Sequence, residues 1–134
     1  MREILFVFLF FLSVSLYGQE QNDTSEWTRT ELFFGGSIPS GGKVTKRKWK
    51  NFVYKYVIPK FPEGFTVLQA TGKWLDEDTN QTISEKSRVI IFVYPDTGKV
   101  QADSALHDIS QAYMDLFDQQ SVLRMDSKSK VVFY

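Results

Sequence analysis

This 134-residue sequence predicts an α+β domain in which one four-stranded sheet carries two helices on a single face. Three observations predict it. Two stretches place apolar residues at helical spacing: Trp49, Phe52, Val53, Tyr56, and later Leu106, Ile109, Tyr113, Leu116, Phe117. Four others are rich in β-formers and are bounded by glycine, proline or polar runs. The order is strand, helix, strand, strand, helix, strand, which is the split βαβ, or ferredoxin-like, arrangement.

The first strand is Thr28–Phe34, TRTELFF, stopped by Gly35-Gly36; the loop SIPSGG leads onward. Thr45 is placed to cap the first helix, and Pro59 ends it, because proline lacks the N–H that the helix needs. FPEG (61–64) is a turn by composition, and Phe65–Leu75 is a second strand with Gly72 as a candidate bulge. The polar run from Asp76 to Gln81 makes a hairpin with the third strand, SRVIIFVYP, closed by Pro95. After the PDTG turn and the second helix, Ser121–Met125 and Val131–Tyr134 supply the last extended segments. The first and third strands are expected at the centre, as a parallel pair, because LFF and VIIFVY are apolar on both sides.

Length allows one core. Lys plus Arg and Asp plus Glu each count 16, so no global charge points to nucleic acid or membrane. The start, MREILFVFLFFLSVSLYG, has a charged beginning, an apolar run from Ile4 to Leu12 and small residues after it. This is the pattern of a secretory signal peptide over residues 1–18, too short for a comfortable span of about 20 residues. Residues 19–26 read as a flexible leader and 27–134 as the domain, in an exported, periplasmic or secreted protein without stable membrane insertion after cleavage. The chain has no cysteine, which removes a disulfide framework and a thiolate metal site.

Helices cover one face of the sheet; the other needs an explanation. Alternation with Leu32, Phe34, Leu68, Leu123 and Met125 turned to the helices puts Arg29, Glu31, Phe33, Gln69, Thr71, Arg124 and Asp126 on the open face. The third strand adds Glu85, Ser87, Val89 and Ile91 or, one residue out of register, Lys86, Arg88, Ile90 and Phe92. The candidate site or interface is therefore Arg29, Glu31, Phe33, Glu85, Ser87, Arg124 and Asp126, charges beside an apolar centre. A homodimer packed sheet to sheet would cover it, since exposed apolar patches mark interfaces. A shallow pocket for a small molecule or an envelope protein is the compatible alternative.

Motifs for chemistry are weak. GGSIPSGGK lacks the Lys-Ser/Thr ending of a phosphate loop, and Ser40 with Lys43 spells S-x-x-K without its companion motifs. Asp76, Asp78 and Asn80 start like a calcium loop, but Gln81 and Ser87 stand where Gly and Glu are needed. His107 is the only histidine, so a multi-histidine metal site is excluded, and it reads as a residue of the wet helix face rather than a general base beside Asp103 and Asp108. Arg88, Ile90 and Val93 stand where RNA-recognition domains carry stacking aromatics, which counts against nucleic acid. No catalytic residue, metal or cofactor is assigned. A binding module and a small cofactor-independent enzyme using Glu31, Glu85 or Arg124 on the same face both stay open.

The blocks RTELFFGGSIPSGG, VIPKFPEGFTVLQATGKW, EKSRVIIFVYP and FDQQSVLRMDS resemble those of a bacterial family known as domain of unknown function 3574, over Arg29 to about Ser127. The resemblance implies a small exported protein of unestablished activity and carries over no catalytic residues. The basic start of the first helix and the terminal KSKVVFY depart from it. By fold analogy alone, dimeric ferredoxin-like proteins include cofactor-free monooxygenases and haem-handling enzymes, and the lack of histidine on the expected open face counts against haem.

Overall fold

The computed structural model describes residues 26–134; the expected signal peptide and all of the leader but Glu26 lie outside them. The elements are β1 (Trp27–Gly35), α1 (Lys46–Phe52), which runs on into a π-helical turn over Val53–Val57, β2 (Thr66–Asp76), β3 (Gln81–Pro95), α2 (Lys99–Phe117) and β4 (Leu123–Ser129). The sheet order is β2-β3-β1-β4. Every neighbouring pair is antiparallel, including β1 with β3, so the expected parallel centre is corrected. The physical reason is the crossover: β1–α1–β2 leaves β1 and β2 parallel with one strand's width between them. The hairpin then returns β3 into that gap against both.

Thr45 caps α1, its side chain accepting from the Lys48 amide at 3.2 Å. The helix buries Trp49, Phe52 and Val57, and α2 buries Ala102, Leu106, Ile109, Tyr113 and Phe117. Leu116, expected in that stripe, is half-exposed, because its neighbour Phe117 takes the inward position. Phe34 sits at the centre, edge-on to Tyr113 (4.7 Å), Trp49 (5.4 Å) and Phe52 (5.7 Å). Tyr113 is fully buried and donates its hydroxyl to the Gly35 carbonyl at 2.6 Å. Burial pushes that phenol up to about 12.

Gly72 is no bulge: the pairing runs without interruption from Thr66 opposite Ile91 to Asp76 opposite Gln81. Asp76 Oδ1 accepts from the Asp78 amide (3.0 Å) and more weakly from that of Thr79 (3.4 Å), so the carboxylate that began the calcium-like pattern closes the turn instead. The Val131–Tyr134 segment forms no strand; Phe133 instead meets the Trp27 ring edge-on at 5.9 Å. β1 reaches β3 only from Ser87 to Pro95, so Thr71–Asp76 and Gln81–Lys86 project beyond it as a two-stranded arm. Among the described residues no helix is long and apolar enough to cross a membrane.

Candidate functional site: two faces of one sheet

Pairing fixes which side each residue takes, because residues directly opposite in adjacent strands share a face. Thr28, Thr30, Leu32 and Phe34 are buried toward the helices, which leaves Arg29, Glu31 and Phe33 on the open face as expected. Ser87, Val89 and Ile91 join them, opposite Gly35, Phe33 and Glu31, so the first of the two registers considered for the third strand is the real one. Glu85 follows the same alternation but turns its carboxylate to the end of β1, where it accepts the Ser37 amide at 2.7 Å.

The two edge strands take the opposite phase from that expected. Leu68 lies opposite Val89 and Leu123 opposite Phe33, so Leu68, Leu123 and Met125 are on the open face. Gln69, Thr71, Arg124 and Asp126 are on the helix side, opposite Arg88, Lys86, Leu32 and Thr30 respectively. The reason is that both faces of this sheet are apolar, so an apolar residue in an edge strand does not by itself identify the helix side. One row, Leu68–Val89–Phe33–Leu123, crosses all four strands, and a second runs Thr66–Ile91–Glu31–Met125. Leu68, Leu123 and Met125 remain 47, 57 and 54% exposed. The charges on this face pair with each other: Arg29 Nη2 lies 2.8 Å from Glu31 Oε1.

Arg124 and Asp126 therefore belong to a polar chain between α2 and β4. The Arg124 guanidinium binds both Asp103 of α2 and Asp126, and Lys99 holds Asp103 from the preceding turn at 2.9 Å. Thr30, fully buried, donates to Asp126 at 2.6 Å; the Thr30–Tyr94 contact at 2.8 Å is then donated by the tyrosine, since a hydroxyl has one hydrogen. The Arg124 and Lys99 hydrogen bonds hold the Asp103 carboxyl below its usual range. At Asp126, burial pushes upward, but the bonds from Arg124 and Thr30 outweigh it and the carboxyl is held low. The series runs from Lys99 through Asp103, Arg124, Asp126 and Thr30 to Tyr94, and among the described residues no buried side-chain nitrogen or oxygen lacks a hydrogen-bond partner.

A cleft of about 310 Å³ opens on the helix side, where the helices stop covering the base of the β2–β3 arm. Its walls are the 36–44 loop and the paired strands: Gly36, Lys43 and Val44 on one side, Gln69, Thr71, Lys86 and Arg88 on the other. The loop is held by a Ser37–Lys43 bridge and by Val44 N–H donating to Gly36 O at 2.8 Å. Arg88 lies over the Trp49 ring (5.0 Å) and donates to Val44 O at 3.3 Å. Sequence reasoning met Lys86 only as a register alternative, Arg88 there and as a residue standing where a stacking aromatic would be, and Lys43 only in rejected motifs. The cleft depends on the loop's fold, which no spacing reveals.

His107 is exposed, and the carboxylates considered with it are engaged elsewhere, Asp108 by Lys60 at 2.8 Å and Asp103 by Arg124 and Lys99. Among the described residues no group of three His, Cys, Asp or Glu is placed to hold a metal ion.

A family model described as "Protein of unknown function (DUF3574)" matches residues 29–133, so the match runs through most of the C-terminal segment that had looked divergent. No curated protein matches the chain. Among solved structures, a phage SAM lyase in complex with S-methyl-5'-thioadenosine is similar at 15% identity with a TM-score of 0.56, covering 76% of this chain and 81% of that one. The same kind of protein in its apo state gives 15% identity and a TM-score of 0.53, covering 75% and 79%. At that identity the likeness shows a shared fold.

Proposed function

The chain belongs to the DUF3574 family, whose function is not established, and we propose that it is an exported binding module that pairs with a second copy of itself through the open sheet face. The row Leu68–Val89–Phe33–Leu123 carries this reading. Two facing sheets interdigitate such rows at a spacing of about 10 Å, as in a sandwich core. A leucine fully moved from water gains about 1.5–3 kcal/mol. Leu68 and Leu123 each have about half of that still to gain, twice over in a symmetric pair. The charged residues of the expected site need no partner across the interface, since Arg29 and Glu31 satisfy each other, Glu85 accepts the Ser37 amide and Arg124 sits on the opposite side. Of the residues named for a small enzyme on the same face, Glu31 is neutralised by Arg29, Glu85 is engaged by the Ser37 amide and Arg124 lies on the helix side. The test is Leu68→Glu with Leu123→Glu, followed by sedimentation. Both side chains are half-exposed, so the fold survives while association is lost; association unchanged by two buried carboxylates per copy would sink the proposal.

Export rests on the charged, apolar and small-residue sequence of residues 1–18. An intact mass on protein recovered outside the cytoplasm should correspond to a chain starting at Gln19; full-length protein retained in the membrane would contradict it.

A further inference from the structure

The cleft on the helix side has a chemical character that the open face lacks. Three cationic side chains, Lys43, Lys86 and Arg88, line it together with the hydroxyl of Thr71 and the amide of Gln69. Among the described residues neither Lys43 nor Lys86 has a carboxylate within ion-pairing distance. The adjoining part of the groove adds one acid, Glu85, whose carboxylate accepts the Ser37 amide. Three positive charges against one negative leave a surplus of two. Like charges gathered in one concavity repel unless an anion joins them, and low-dielectric walls strengthen that attraction.

We propose that this cleft binds a small phosphate-bearing molecule as a dianion, with Lys43 and Lys86 as flanking point charges and Arg88 as the oriented donor. Arg88 is suited to that task. The Trp49 face and the Val44 carbonyl fix its plane, and its remaining N–H groups form the fork that matches two phosphate oxygens. The Thr71 hydroxyl and Gln69 amide are further donors on the same wall. The volume lies at the low end of the range for small-molecule sites, roughly 300–1,000 Å³, which suits a compact phosphorylated compound. The 36–44 loop is thus not a phosphate loop by spacing, yet it contributes Lys43 to an anion site through its folded shape.

The test uses the chain from Gln19 onward, which contains every described element, labelled with ¹⁵N and titrated with inorganic pyrophosphate against sodium chloride of equal ionic strength. The expected result is a saturable set of amide shifts over residues 36–44, 69–71 and 86–88. Affinity should fall roughly tenfold in each of Lys43→Ala and Lys86→Ala, as loss of one charge-assisted contact implies. Both substitutions are exposed, so the rest of the spectrum stays in place. Shifts that fail to saturate, or that spread over the basic start of α1 and ignore both substitutions, would overturn the site. The cleft and the open face lie on opposite sides of the sheet, so either proposal can fail without the other.

Discussion

Gly36 is the position where the sheet and the cleft loop meet most tightly, and replacing it by alanine is a severe test of the account. A Cβ built there would lie 2.1 Å from the backbone carbonyl oxygen of Lys86 and 3.1 Å from its carbonyl carbon. Ordinary carbon–oxygen contact needs about 3.3 Å, so the overlap exceeds 1 Å, and the atom in the way is main chain that cannot rotate aside. Relief requires β1 and β3 to separate where Gly35 faces Ser87. Overpacking costs about 1–3 kcal/mol when side chains can adjust; a backbone clash belongs at or above the top of that range. With about 4–8 °C lost per kcal/mol in a domain near this size, Gly36→Ala should lower the melting temperature by at least about 12 °C in circular dichroism. Gly72→Ala is the control. Its nearest contact is Glu85 O at 4.0 Å, in an uninterrupted strand, so removing glycine's backbone freedom leaves stability unchanged or raises it by up to about 1 kcal/mol. Equal melting temperatures for the two variants would refute the close approach.

Tyr113→Phe removes the hydroxyl that satisfies Gly35 O and should cost about 1–3 kcal/mol in denaturant unfolding, because the partly buried carbonyl loses that donor. Burial of the phenol should also make the wild type alkali-sensitive. The folded phenol titrates near 12 and the unfolded one near 10, so stability falls as pH rises through that window, at up to about 1.4 kcal/mol per unit; the phenylalanine variant should show a shallower fall. Asp103 and Asp126 have the opposite sign: their carboxyls are held low in the folded state, so their contribution is present above the ordinary carboxylate range and is lost as pH falls through it. Asp103→Asn should flatten that acid limb, measured by urea unfolding between pH 5 and 2. Phe34→Ala, at the centre of the aromatic core, should cost about 3–5 kcal/mol or abolish folding.

The strands and helices were legible because their patterns are local. Thr28 to Phe34 alternates in one phase, and the two helical stripes announce themselves even though Leu116 falls just outside one of them. The faces of the edge strands were not legible. In LRMD the period of two is plain, but its phase is set by where Leu123 pairs on β1 and by the reach of Arg124 to Asp103, twenty-one residues away on another element. The sequence offered a hint in the charges: Arg124 and Asp126 point the same way and so can share a partner, which a helix supplies and an apolar face does not. The cleft escaped notice because its parts are distant in sequence. Gly36, Lys43, Thr71 and Lys86 come together only after the Ser37–Lys43 bridge folds the loop against β3.

The central claim is that the apolar open face is covered by a second copy, and the most direct measurement is the solution mass of the chain from Gln19 onward by light scattering over a wide concentration range. The account predicts a mass twice that of the chain, shifting to the single-chain value when Leu68 and Leu123 are replaced by glutamate. A single-chain mass for the unmodified protein at every concentration would contradict it.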